Sequence, residues 1–417
     1  MIRSLLNRQG RTTRAVLDVF LGNITAAALA FLLNIVLARM LSVTDFGRFN
    51  VIFSLVVVLY TIGDFGFSNA VVVLYNSGLR VPGGVLATLN RAFLEFQGIV
   101  LPLLVLALLL VRPFYKMDLL ETWVAIIAIS CFVVYKYGLS VLQAQGLWLK
   151  FNVLNVGGNF LKSLIILSLC VAPLFAKSKY QGALVGYLLQ GVGVVALVGI
   201  LVRKGMHLTH ASKEIRVNLW RTLWPIGMAN IFIVITMRFG VLITERELGS
   251  QFVAVYSVAN TLALVFPLFT SSMMNVLIRE AALAPKHEFV KKLIAKQRQS
   301  LPYLLPAMLG CVMILSSLVG VLFGDSYSGA WPLFALLSIP HIGGIFFSPL
   351  ESYFYGNDQI FIMKFKAVEM VLMVLVSLMF ISHFGLYGVA LGAIISRAFG
   401  WAYLYFKAQK LGNSLMN

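Results

Sequence analysis

Apolar runs of roughly 20 residues recur along the whole chain, each closed by a short polar segment, and a run of that length crosses the hydrocarbon core of a bilayer as a helix. Twelve spans are predicted. In the first half they cover residues 15–38, 51–76, 92–111, 119–143, 151–172 and 180–202. In the second half they cover 218–243, 251–278, 299–323, 330–355, 361–381 and 387–406. The run after Arg14 is about 24 residues long, beyond the 7–15 of a signal-peptide core, so it is expected to remain as the first helix. The fold class that follows is an all-α polytopic membrane protein.

Sliding the sequence on itself by 207 residues places Arg14 on Arg221, Asn23 on Asn230, Arg39 on Arg246, Leu41 on Leu248, Phe49 on Tyr256 and Arg91 on Arg298. At a shift of 206, Gly182-x3-Gly186 meets Gly388-x3-Gly392. These correspondences predict two six-helix lobes, residues 1–210 and 211–417, related by a parallel repeat because six crossings is an even number. The GxxxG pairs predict that spans 6 and 12 approach a neighbouring helix closely. Pro225, Pro267, Pro302, Pro306, Pro332, Pro340 and Pro349 load the second half with kinks, against Pro102 alone in the first, so the second half is expected to bend more.

Composition agrees with the pattern. Hydrophobic residues make up 60% and charged residues 12%, against about 45–50% and 25% in globular chains. The net charge of +18 suggests nucleic acid in a soluble chain, but here position decides its meaning. Alternate connections carry 19 Lys and Arg on one side and 7 on the other. By the positive-inside rule both termini are then cytoplasmic, and nucleic-acid binding loses its support. Cys131, Cys170 and Cys311 lie far apart in apolar stretches, which argues against a disulfide framework or a zinc site. No cofactor is expected.

Seven basic residues fall within spans. Arg221, Lys364 and Lys366 are near cytoplasmic ends and can snorkel. Lys136, Lys162, Arg238 and Arg397 are deeper, as are Asp64 and Glu369, while Asp18, Glu95 and Glu351 lie near cytoplasmic ends. Charges at that depth face a bundle interior or a wet cavity. The deep set has an excess of two positive charges, which suits an anionic ligand. The alternative is internal pairing, with Lys162 and Glu369 in equivalent places of spans 5 and 11. Asp64, within Gly63-Asp-Phe-Gly-Phe-Ser68, is a candidate for binding a coupling cation or proton, with Asn23 as a neutral ligand; a carboxylate paired to a basic residue is the other reading.

Other motifs carry less. The Asp-Phe-Gly triplet lacks every companion of a kinase site. Gly191-Val-Gly193-Val-Val-Ala196 fits a dinucleotide fingerprint but lies within a span, so it reads as helix packing. His207 and His210 have metal-like spacing in a loop without Cys or acidic partners nearby, and read as solvated loop residues. His341 falls mid-span, where it titrates or hydrogen-bonds a neighbour.

Leu37-Ala-Arg39-Met-Leu41, Asp45-Phe-Gly47 and Gly63-Asp-Phe-Gly-Phe-Ser68 resemble the opening of Wzx-type polysaccharide (O-antigen) flippases, within the multidrug, oligosaccharidyl-lipid and polysaccharide exporter superfamily. Phe384-Gly-Leu-Tyr-Gly388-Val-Ala-Leu-Gly392 is similar to that family's final-helix pattern. The resemblance implies translocation of undecaprenyl-diphosphate-linked oligosaccharide units across a bacterial inner membrane. It also implies alternating access driven by a coupling ion, proton or sodium, among membrane lipids and other polysaccharide-assembly membrane proteins. On that basis Lys136, Lys162, Arg238 and Arg397 become candidates to bind the diphosphate, with Arg39 as a peripheral one. Asp64 is the first candidate for ion coupling and Glu369 the second, with Asn23 beside Asp64. Peptidoglycan-precursor flippases resemble the chain less, having two extra helices. Drug exporters also resemble it less, because an acidic residue deep in span 1 is missing.

Two other classes compete. A membrane-embedded polysaccharide polymerase or ligase needs a site at the outer surface, yet the outer connections are short, the longest being residues 39–50, and carry no paired carboxylates or Ser-His arrangement. The expectation is therefore that the chain is not an enzyme. A small-molecule exporter of the same fold would have an apolar, aromatic cavity, against which the deep basic residues argue.

Overall fold

The computed structural model describes residues 2–75, 84–202, 213–267 and 286–413. Of residues 2–20, 213–216, 286–294, 296–298, 300, 356, 412 and 413 it describes only the backbone. His207, His210 and the side chain of Asp18 therefore lie outside what is described.

Among the described residues the regular structure is helical throughout. The helices are α1 (Ile2–Met40), α2 (Val43–Asp64), α3 (Phe67–Tyr75), α4 (Val85–Val111), α5 (Leu119–Ala144), α6 (Trp148–Val171), α7 (Lys179–Val202) and α8 (Lys213–Glu247), followed by α9 (Ser250–Ala263), α10 (Lys286–Ser317), α11 (Val319–Phe323), α12 (Trp331–Asn357), α13 (Gln359–Phe384) and α14 (Leu386–Asn413). Eleven segments of these are long and apolar enough to cross a membrane, and the shorter apolar stretch Leu301–Ser317 occupies the ninth position. The protein is a polytopic all-α membrane protein, and among the described residues each expected span has its helix or helix pair; residues 268–278 of the eighth expected span lie outside them.

The helices overrun their apolar windows. The expected outer connection 39–50 is almost entirely helix, with only Leu41 and Ser42 between α1 and α2. Ser42 Oγ accepts from the backbone N–H of Asp45, so a polar start nucleates α2 before its apolar run begins. At α5, Asp118 and Glu121 form a capping box, which satisfies two N–H groups that a helix start otherwise leaves open.

By contact the chain divides into one unit of Met1–Met40 with Leu55–Ile231, and another of Leu41–Ser54 with Phe232–Asn417. The first unit is built on a buried cluster that includes Phe67, Leu89, Phe93, Val133, Tyr137, Leu154 and Val194. Phe93 and Tyr137 stack with ring centroids 3.8 Å apart, and the Tyr137 hydroxyl donates to Asn90 Oδ1 at 2.7 Å. The GxxxG pair of α7 does what its spacing predicts: a Cβ on Gly182 would strike the Leu169 carbonyl of α6, and one on Gly186 would strike Ile166.

In the second unit the equivalent pair on α14 lies against α13, Gly388 at Phe380 and Gly392 at Ser377. The first turns of α2 belong here for a local reason. Gly47 lets their backbone meet the Ser250 carbonyl of α9, Phe46 packs edge-on to Tyr327, and Arg48 pairs with Glu245 at 3.0 Å.

Candidate functional site

In the first unit, span 2 is broken where the apolar pattern predicts one continuous helix. Phe65 and Gly66 have φ of +40° and +80°, ending α2 and redirecting the chain into α3. Asp64 serves that break. Its Oδ1 accepts from the Ser68 backbone N–H at 3.1 Å and from the Ser68 hydroxyl, so the carboxylate caps the start of α3. The Gly63 carbonyl accepts from Gln97 Nε2 of α4 at 2.8 Å. Gly66 then meets Gly227 of α8: a Cβ on Gly66 would lie 2.9 Å from the Gly227 nitrogen, and one on Gly227 would lie 2.5 Å from the Phe65 carbonyl oxygen. Thus Gly63-Asp-Phe-Gly-Phe-Ser68 is a helix-break motif, in which Asp64 Oδ1 and the Gly63 carbonyl accept hydrogen bonds from nearby.

Asp64 is fully buried, and Lys136 Nζ of α5 lies 3.0 Å from its Oδ2. Two residues expected in different roles therefore form one ion pair. The geometry matches the pairing alternative, and it also leaves Lys136 one-third exposed at its side chain. Asn23 is exposed, and its Oδ1 accepts from Asn155 Nδ2 at 2.8 Å; the residues satisfying Asp64 are Ser68 and Lys136 instead. Lys162 Nζ lies 5.7 Å from the centre of the Tyr187 ring, a cation–π distance. Arg39 stands exposed in the last turn of α1.

The second unit holds a four-membered charge network. Lys366 Nζ lies 2.6 Å from Glu351 Oε1 and 2.9 Å from Glu369 Oε2. Arg397 Nη1 reaches both oxygens of Glu369 at 3.2 Å. The network joins α12, α13 and α14 and balances two carboxylates with two cations. One expectation is corrected here. Lys366 does not snorkel, being 2% exposed, because two carboxylates hold it inside. Within its own unit Glu369 is neutralised by Lys366 and Arg397. Lys366 precedes Glu369 by three residues, so the spacing itself carried that signal.

Arg397 also lines a cavity of about 100 Å³, together with Thr236, Arg238, Tyr256, Asn260 and His341. Arg238 sits over the Phe53 ring at 5.0 Å. The volume suits one small anionic group or about three waters, and the guanidinium groups supply charge-assisted donors. The structure thus brings two of the four expected deep cations to one cavity in this unit, while Lys136 and Lys162 belong to the other unit. Among the described residues no cluster of three or more His, Cys, Asp or Glu is disposed to hold a metal.

A family model described as Polysaccharide biosynthesis protein matches residues 13–278. No curated protein matches the chain. Among solved structures, an inward-facing multidrug resistance MATE family transporter of the MOP superfamily matches at 17% identity with a TM-score of 0.71, covering 93% of this chain and 95% of its own. The lipid II flippase MurJ in an inward closed conformation matches at 16% identity with a TM-score of 0.71, covering 94% of this chain and 87% of its own. At such identities the likeness establishes the fold, which is that of these transporters. The chain belongs to the polysaccharide biosynthesis protein family.

Proposed function

We propose that the protein translocates undecaprenyl-diphosphate-linked oligosaccharide units across the bacterial inner membrane by ion-coupled alternating access between two six-helix lobes. The observation that carries this reading is the conjunction of a polysaccharide-biosynthesis family match with a transporter fold covering nearly the whole chain. The cavity in the second unit adds chemical support. Arg238 and Arg397 converge there, and a diphosphate leaving water needs such compensation.

In this reading Arg238, Arg397, Lys162 and Lys136 receive the anionic head in turn, with Arg39 at the periphery. Asp64 and Glu369 provide the coupling, without Asn23, whose carboxamide is paired with Asn155. Both carboxylates are already matched by Lys or Arg, so coupling proceeds by exchange of a proton or of an ion-pair partner rather than by a preformed metal cage. The termini lie in the cytoplasm, where the positive-inside rule puts them.

Deleting the gene in its source organism tests the reading. Complete lipid-linked units should accumulate in the cytoplasmic leaflet, with loss of the surface polysaccharide. Normal polysaccharide, with no accumulation, would contradict it. The equal fold match to a multidrug transporter favours export of small amphiphiles as the second reading; in that case deletion changes drug sensitivity alone.

A further inference from the structure

Helix α6 crosses the first unit with buried, exposed and polar residues in separate rows over its first four turns. Phe151, Leu154, Gly158, Ile166 and Cys170 are buried against their neighbours. Leu149, Val153, Phe160, Leu164 and Val171 are exposed and apolar, with Ser168 the one polar member of that exposed row, a composition that suits contact with lipid chains. A polar row carries Asn152, Asn155, Asn159 and Lys162, spaced by three, four and three residues and therefore aligned along one stripe, which the buried Ile166 and Cys170 continue over the next two turns. It lies roughly a third of a turn from the apolar exposed stripe.

The polar stripe is only partly covered. Asn155, Asn159 and Lys162 are partly exposed, and Asn23 of α1, which accepts from Asn155, is exposed. Gly22 lets α1 approach Asn152 without a side chain in the way. The Asn159 amide donates to the Asn155 carbonyl at 2.9 Å, which holds its side chain along the helix. Carboxamides left accessible within a spanning helix, and turned from the face given to lipid, mark a face that meets water. Their chemistry is uncharged and presents donor and acceptor together. It complements sugar hydroxyls, which need both, and does not complement a lipid tail.

We propose that the Asn23, Asn155 and Asn159 carboxamides form a glycan-binding stripe that recognises the hydroxyl groups of the transported saccharide, separately from the cations that receive its diphosphate. The inference rests on the translocation reading and adds to it the part of the substrate that this face reads. Lys162, one turn beyond Asn159, sits where the stripe meets the Tyr187 ring.

The test uses the full chain in lipid nanodiscs with two probes, undecaprenyl diphosphate and undecaprenyl diphosphate carrying a neutral tetrasaccharide. Wild type should bind the glycan-bearing lipid about tenfold more tightly, and Asn155→Leu with Asn159→Leu should abolish that preference while leaving glycan-free binding unchanged. Equal wild-type affinity for both probes, a retained preference in the variant, or equal loss of both probes would overturn the stripe. Wild-type binding of neither probe would instead sink the translocation reading itself. A ligand-independent arm works in a cysteine-free background. There Asn155→Cys should react with a water-soluble maleimide while Val153→Cys stays unreactive, and equal unreactivity of the two would also overturn the proposal.

Discussion

Lys136 Nζ and Asp64 Oδ2 stand 3.0 Å apart in the first unit, and the two ends of this pair have unequal surroundings: the lysine side chain is 33% exposed and the aspartate 1%. The carboxylate also caps α3 through Ser68. The pair thus fastens α5 to the point where span 2 is broken, and its two members are not interchangeable.

Lys136→Ala should therefore harm the protein more than Asp64→Asn does. The first strands a carboxylate in the interior, where an uncompensated buried charge costs about 3–5 kcal/mol. The second keeps an oxygen for Ser68 and leaves a lysine whose side chain is one-third exposed rather than a charge shut in the interior. Thermal unfolding of purified variants, with the double variant closing the cycle, checks the order; equal losses for the two single changes would contradict the asymmetry.

The backbone contact at the break makes a steric prediction. Gly227→Ala puts a methyl group against the Phe65 carbonyl and should destabilise by about 1–3 kcal/mol. Gly98→Ala in α4 meets nothing within 4 Å and should be neutral or stabilising by up to about 1 kcal/mol. If unfolding temperatures rank the two the other way, the close approach of α8 to the break is not tight.

In the second unit, Lys366→Met leaves Glu351 and Glu369 sharing Arg397 as compensation. A loss on the order of 3–5 kcal/mol is expected, and adding Glu351→Gln should recover a substantial part of it, because the lysine's 2.6 Å partner is then neutral. A double-mutant cycle by chemical unfolding measures this. Additive losses would show that Lys366 and Glu351 do not act as a pair.

How much of this the sequence discloses depends on the interaction. The spans are legible because lipid imposes one requirement on every crossing, a long apolar helix, so Val85–Val111 or Gln359–Phe384 can hardly be misread. The helix pairings at Gly182 and Gly388 are legible because GxxxG spacing sets one small-residue face. The break at Phe65 and Gly66 is hidden because the apolar pattern continues through it. Its clue is chemical: an aspartate four residues before a serine, between two glycines. The partners of Glu369 are half legible, since Lys366 is near in sequence while Arg397 arrives from another helix. The cavity that joins Arg238 to Arg397 depends on how α8, α12 and α14 pack, which no local pattern encodes.

The central claim is tested most directly by leaflet exchange in reconstituted vesicles. A fluorescent undecaprenyl-diphosphate oligosaccharide is followed under an imposed proton or sodium gradient, for wild type and for Arg238→Gln with Arg397→Gln. The account predicts gradient-dependent exchange by wild type and a loss of about tenfold or more in the variant, as expected when charge-assisted contacts to a diphosphate are removed. Folded wild type that moves no such lipid yet exports amphiphilic cations would contradict it.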